Sequence, residues 1–150
     1  MYERILLTLD SSRLAEKAIP HAAALAKAFQ ARLCLLSVVP VISDVGAAGG
    51  PAMAVAWEAQ VDNIEEYLTG VQQALKLQDV DAEVELRRGN VTEEVLLFSQ
   101  KFDADLIVMS THGRSGLGRW VYGSVADRVL RHAEMPVLLV RVSEDDDEQD

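Results

Sequence analysis

The chain has 150 residues, 49% of them hydrophobic, enough for one compact domain with a substantial core but not for a second. Its formal charge is −10 and its pI about 4.7, which argues against a nucleic-acid backbone or an anionic membrane surface as the main partner. Six acidic residues fall between Glu144 and Asp150, so residues 143–150 read as a solvated, disordered tail and the remainder carries about −4.

In chain order, Ile5 to Leu9 has the apolar run of a strand. Ser12 offers an N-cap to a helix reaching Gln30, with Leu14, Ala18, Ala22, Leu25 and Phe29 near the apolar spacing. Leu33 to Val39 predicts a second strand, ended by Pro40. It contains Cys34, a lone cysteine that reads as a small buried hydrophobe. The absence of a disulfide partner and of a secretory h-region after Met1 predicts a cytoplasmic protein. Val41 to Ala54, with Gly46, Gly49, Gly50 and Pro51, reads as a long loop. The charge-free run from Val45 to Trp57 is too short and too rich in Gly and Ala to span a bilayer. A helix is expected from Trp57 to Leu77; Met53, Val55 and Trp57 border the loop and suit folding over a bound ligand, meeting a partner or helix-start packing.

Val80, Ala82, Val84 and Leu86 alternate with polar residues, as in a half-exposed edge strand closed by Gly89. A helix follows Thr92 with Val95, Leu96, Phe98 and Phe102, and then a strand, Leu106 to Met109. After a glycine-rich stretch, a fourth helix runs to His132, and Met135-Pro136 leads into the last strand, Val137 to Val142. His21 and His132 read as surface residues. Alternating strands and helices with continuous apolar central strands predict an α/β domain over residues 1–142. Its mostly parallel, twisted, open five-stranded sheet would carry helices on both faces. With the order 3-2-1-4-5, ligands bind outside the carboxyl ends of strands one and four, where the winding reverses.

Four of the nine glycines, Gly113, Gly116, Gly118 and Gly123, lie between the apolar strand and the fourth helix. Glycines there let backbone N–H groups approach an anion, and the helix start points its own N–H groups at the same spot. Ser124 also heads a capping pattern, Ser124-Val125-Ala126-Asp127. The P-loop spacing Gly118-x4-Gly123 lacks its lysine, since Ser124 stands there, and Gly116-x-Gly118 has Val121 where a dinucleotide fingerprint needs glycine. No paired carboxylates, His-Glu-x-x-His helix or Cys/His cluster is present.

Met109-Ser110-Thr111-His112-Gly113, nine residues, then Gly123-Ser124, together with Asp10 after the first strand, resembles the universal stress protein family in its ATP-binding branch. That family's signature is G-x2-G-x9-G-[ST]; Ser110 replaces its first glycine, with a hydroxyl that either crowds a ribose or bonds to it. The resemblance implies a Rossmann-like sheet in the order 3-2-1-4-5, an adenine nucleotide as ligand and a stress-response role. It places Thr8, Leu9, Asp10 and the backbone of Val38 near base and ribose, with Met109 and Ser110 against them. His112, Gly113, Arg114, Gly123, Ser124 and Val125 would surround the phosphates, which Mg²⁺ or Mn²⁺ would bridge. Val137, Leu138, Leu139 and Val140 would pair with a second copy to form a homodimer. The alternatives are a slow ATP hydrolase and a nucleotide-free interaction module; no protein partner can be named, and no nucleic acid or membrane is expected.

Overall fold

The computed structural model describes residues 1–41, 50–112 and 123–143. The elements follow as β1 (Arg4–Thr8), α1 (Arg13–Glu16), α2 (Ile19–Phe29), β2 (Arg32–Val39), α3 (Gly50–Lys76), β3 (Ala82–Arg88), α4 (Val91–Lys101), β4 (Leu106–His112), α5 (Ser124–His132) and β5 (Val137–Val142). All four strand pairings are parallel, and the sheet order is β3-β2-β1-β4-β5. The Rossmann-like α/β sheet expected from the sequence is therefore the one observed.

Side chains alternate across the central strands into two cores. Ile5, Leu7 and Leu9 of the β1 segment pack with Leu33, Leu35 and Val108 beneath α2 and α3. Leu6, Cys34, Leu36, Ile107 and Met109 pack on the opposite face beneath α4 and α5. The central strands are apolar on both faces because each face carries a helix layer. At the amino end of the sheet, the Asp105 carboxylate accepts from the N–H groups of Glu3 (2.7 Å) and Arg4 (3.2 Å), fixing β4 against β1.

Several boundaries differ from the sequence reading. The first helix is two helices, because Pro20, in the opening turn of α2, has no N–H to give and its ring would strike the carbonyl four residues back. The buried stripe there is Ala15, Ala18, Ala22, Ala23 and Ala26. Phe29 is 39% exposed and packs edge-on against Tyr2. The third helix starts at Gly50 rather than Trp57. Gly50 takes φ +59° and Pro51 follows in the first turn, where its missing N–H is harmless. Residues 50–54 are thus helical rather than loop, and residues 42–49 lie outside the described residues. β4 continues to His112, three residues beyond the apolar run. β5 also carries Arg141 near its end, a charge beside the apolar edge.

Seven-residue spacing brings Val61, Leu68 and Leu75 of α3 into the core, while no residue from Gly50 to Gln60 is buried. At about 1.5 Å per residue, 27 residues run roughly 40 Å, against about 23 Å for the seven residues of β3. The amino-terminal turns therefore project past the carboxyl edge of the sheet, and the Arg88 guanidinium lies 4.6 Å from the centre of the Trp57 ring. Gly89, at φ +145°, ends β3, and Asn90 caps α4 by accepting from the N–H of Glu93.

A Cβ at Gly89 would lie 3.1 Å from Cγ of Glu94, whose carboxylate holds Arg87 at 2.9 Å. Gly89→Ala should therefore lower stability by about 1–3 kcal/mol, read as a shift of the urea midpoint. Burial, with smaller contributions from the charges of Glu83 and Glu85, pushes the Cys34 thiol from its ordinary 9.0 up to about 12. The folded chain holds this proton more tightly than the unfolded one, so the linked stability is intact below pH 9 and lost as pH rises toward 12. Cys34→Ala should flatten that alkaline decline in urea midpoints. A slope as steep as that of the parent would assign the decline to other groups, such as Tyr67, whose phenol burial also keeps protonated.

Candidate functional site

The chain leaves β1 toward the face of α2 and leaves β4 toward the face of α5, so the carboxyl ends of these neighbouring strands diverge. A cleft of about 710 Å³ opens there, the position at which parallel α/β sheets take their ligands.

On the β1 side, Oδ1 of Asp10 accepts from the N–H of Ser12 at 2.9 Å and from the Ser12 hydroxyl. Ser12 Oγ in turn accepts from the N–H of Ala15, capping α1. This bridge spans Ser11, whose φ of +64° is the left-handed conformation that non-glycine residues rarely take. Asp10 is thereby fixed at the mouth of the cleft.

On the β4 side, the Ser110 hydroxyl donates across to the Ala15 carbonyl of α1 at 3.4 Å. Thr111 Oγ1 accepts from the N–H of Gly123 at 3.3 Å, so the end of β4 holds the start of α5. Gly123, not Ser124, is the N-cap of α5, with no side-chain cap; Ser124 is the first helical residue. Ser124, Val125 and Ala126 therefore begin α5 with backbone N–H groups that no helical carbonyl can serve. Asp127, the acidic residue of that first turn, is paired with Arg131 at 3.0 Å.

Of the residues expected at the site, Thr8, Leu9, Asp10, Val38, Met109, Ser110, Gly123, Ser124 and Val125 line this one cleft. The backbone of His112 closes β4 opposite Val142, while Gly113 and Arg114 lie outside the described residues. Sequence reading missed Ser37 on β2, Gln60, Asn63 and Ile64 on α3, and Val91 and Val95 on α4, which also line the cleft. Ser37 had a signal, a hydroxyl inside an apolar strand. Gln60 and Asn63 had none, because polar residues on a helix read as solvent-facing. Beyond Asn63 a groove of about 540 Å³ continues between α1 and α3. There the buried Tyr67 hydroxyl faces Glu16 without reaching hydrogen-bond geometry.

The model of the universal stress protein family matches residues 1–141. A universal stress protein of Methanocaldococcus jannaschii is 34% identical over 141 residues, covering 94% of this chain and 83% of its own. Among solved structures, the universal stress protein UspA from Lactobacillus plantarum superposes with a TM-score of 0.82 at 25% identity, covering 93% of this chain and 98% of that one. A universal stress protein from Archaeoglobus fulgidus in complex with dAMP shares the fold at a TM-score of 0.67 and 21% identity, covering 92% and 97%. The chain belongs to the universal stress protein family.

Proposed function

We propose that this member of the universal stress protein family is a dimeric, cytoplasmic ATP-binding protein. Binding would change its conformation or its partners, and turnover would be slow at most. The observation that carries the reading is the convergence of Asp10, Val38, Met109 and the start of α5 on one cleft at the β1/β4 divergence. The A. fulgidus relative, in complex with dAMP, supports an adenine nucleotide as the class of ligand for this fold. Residues 1–142 would form the nucleotide-binding domain and 143–150 the acidic tail.

The cleft suits such a ligand in size, being within the range of about 300–1,000 Å³ usual for small-molecule sites. Phosphates would meet the N–H groups of Ser124, Val125 and Ala126 and the positive end of α5. Gly123 leaves that approach open, since a Cβ built there meets nothing within 4 Å among the described residues. Asp10, anchored by Ser12, would accept from ribose hydroxyls. Arg114, with Mg²⁺ or Mn²⁺ bridging the phosphates, would offset their charge; the described lining holds no cation of its own.

Isothermal calorimetry tests this reading. Wild-type protein should bind ATP with Mg²⁺ at a Kd on the order of micromolar, and Gly123→Val should weaken binding by about tenfold or more. The space that the described residues leave around Gly123 predicts that the variant still folds. Absence of binding by the wild type would refute the reading; equal binding by the folded variant would remove the α5 terminus from the site.

The homodimer reading comes from the sheet edge. Among the described residues β5 pairs with β4 alone, and Val137, Leu138, Leu139 and Val140 are each only partly buried in the single chain. An apolar edge strand tends to recruit another strand, most simply its own copy about a two-fold axis. Light scattering at micromolar concentration should show a dimer, and Leu139→Asp, verified as folded by circular dichroism, should shift it toward monomer. A monomeric wild type would overturn the dimer.

A further inference from the structure

The cleft has two chemically different walls. Leu36, Val38, Val95 and Met109 belong to the core beneath α4 and α5, and make one wall apolar. The other wall faces α1 and α3 and combines Leu14 and Ile64 with Ser37, Gln60 and Asn63. We propose that Ser37, Gln60 and Asn63 form a base-reading edge that selects a 6-aminopurine over a 6-oxopurine nucleotide. The proposal rests on the nucleotide reading above and adds to it the residues that choose the base.

Ser37 is only 2% exposed, lines the cleft, and has no hydrogen-bond partner among the described residues. Its hydroxyl opens on the cleft rather than being sealed in the core, so a group seated there can bond to it. Gln60 and Asn63, three residues apart on α3, share one helix face, and neither carboxamide has a partner among the described residues. Three polar groups on the β1 and β4 sides are engaged: Asp10 Oδ1 with Ser12, Ser110 with the Ala15 carbonyl, Thr111 with the Gly123 N–H. Ser37, Gln60 and Asn63 thus place open donors and acceptors on the α3 wall, beside apolar surface able to take a flat ring and apart from the open N–H groups at the start of α5.

Their chemistry discriminates between bases. A carboxamide offers a donor and an acceptor side by side, matching the N6 amino group and N7 of adenine. Guanine presents two acceptors, O6 and N7, along the same edge and calls for Arg or Lys. Neither lines the cleft among the described residues.

The test compares ATP, GTP and ribose 5-triphosphate by calorimetry on wild type, Gln60→Leu, Asn63→Leu and the double variant, with Ser37→Ala alongside. Gln60 and Asn63 are solvent-exposed helix positions, so the variants should fold. Wild type should prefer ATP to GTP by about tenfold or more, and the double variant should lose most of that preference while keeping its ribose 5-triphosphate affinity. An unchanged ATP-to-GTP ratio in the double variant, or an equal loss for all three ligands, would overturn the base-reading role while leaving the nucleotide site in place. A wild type that binds none of the three would instead overturn the nucleotide reading and this proposal with it.

Discussion

Everything in this molecule depends on five strands running in one direction. A parallel sheet cannot close a hairpin, so every connection must cross a face, and the helices that make those crossings bury both sides of the central strands. The direction of crossing changes once, between β1 and β4, and there the helices move apart. The cleft is what close packing leaves where two layers of helices diverge from a shared edge. The Asp105 carboxylate on the backbone of β1 fixes the opposite end of the same strand pair, so the cleft opens from a held base.

Local features then adapt that opening to a polar ligand. The left-handed Ser11 allows Asp10 to fold back onto Ser12, and the cap that results starts α1 beside the cleft, which Leu14 and Ala15 line. Thr111 binds the first N–H before α5, leaving later N–H groups directed into the space. Ser110, which departs from the family's glycine, has its hydroxyl drawn toward the α1 carbonyls. Its side chain thereby joins β4 to α1 rather than standing in the middle of the cleft.

The alternating strands and helices of a parallel sheet were legible in the sequence because they rest on period, while the strand order and the cluster of residues on β1 and β4 came with the family resemblance, carried by a long glycine spacing and an aspartate directly after a strand. Errors arose where one residue overrode a pattern. Pro20 broke a helix whose apolar spacing looked continuous. Gly50 and Pro51, read as loop formers, begin α3 instead. The capping pattern at Ser124 was displaced by one residue because Gly123, at φ −53° and ψ 152°, takes the non-helical cap position. The α3 wall was not legible at all, since whether Gln60 and Asn63 face solvent or a cleft depends on how far α3 overhangs the sheet, and that is a tertiary property.

The register that joins Ile5 to Leu106 also governs how the chain matures. The central strand must wait for a neighbour about a hundred residues away, and contacts of such sequence separation close slowly. Until then, a nascent chain carries β1 with one apolar edge open, the condition in which partly folded proteins associate wrongly. Asp10 and Gly123 come together only after this closure, so no fragment of the chain can hold what the whole chain holds. Any molecule seated between them binds the completed fold alone, and its binding energy adds to the stability of the entire sheet.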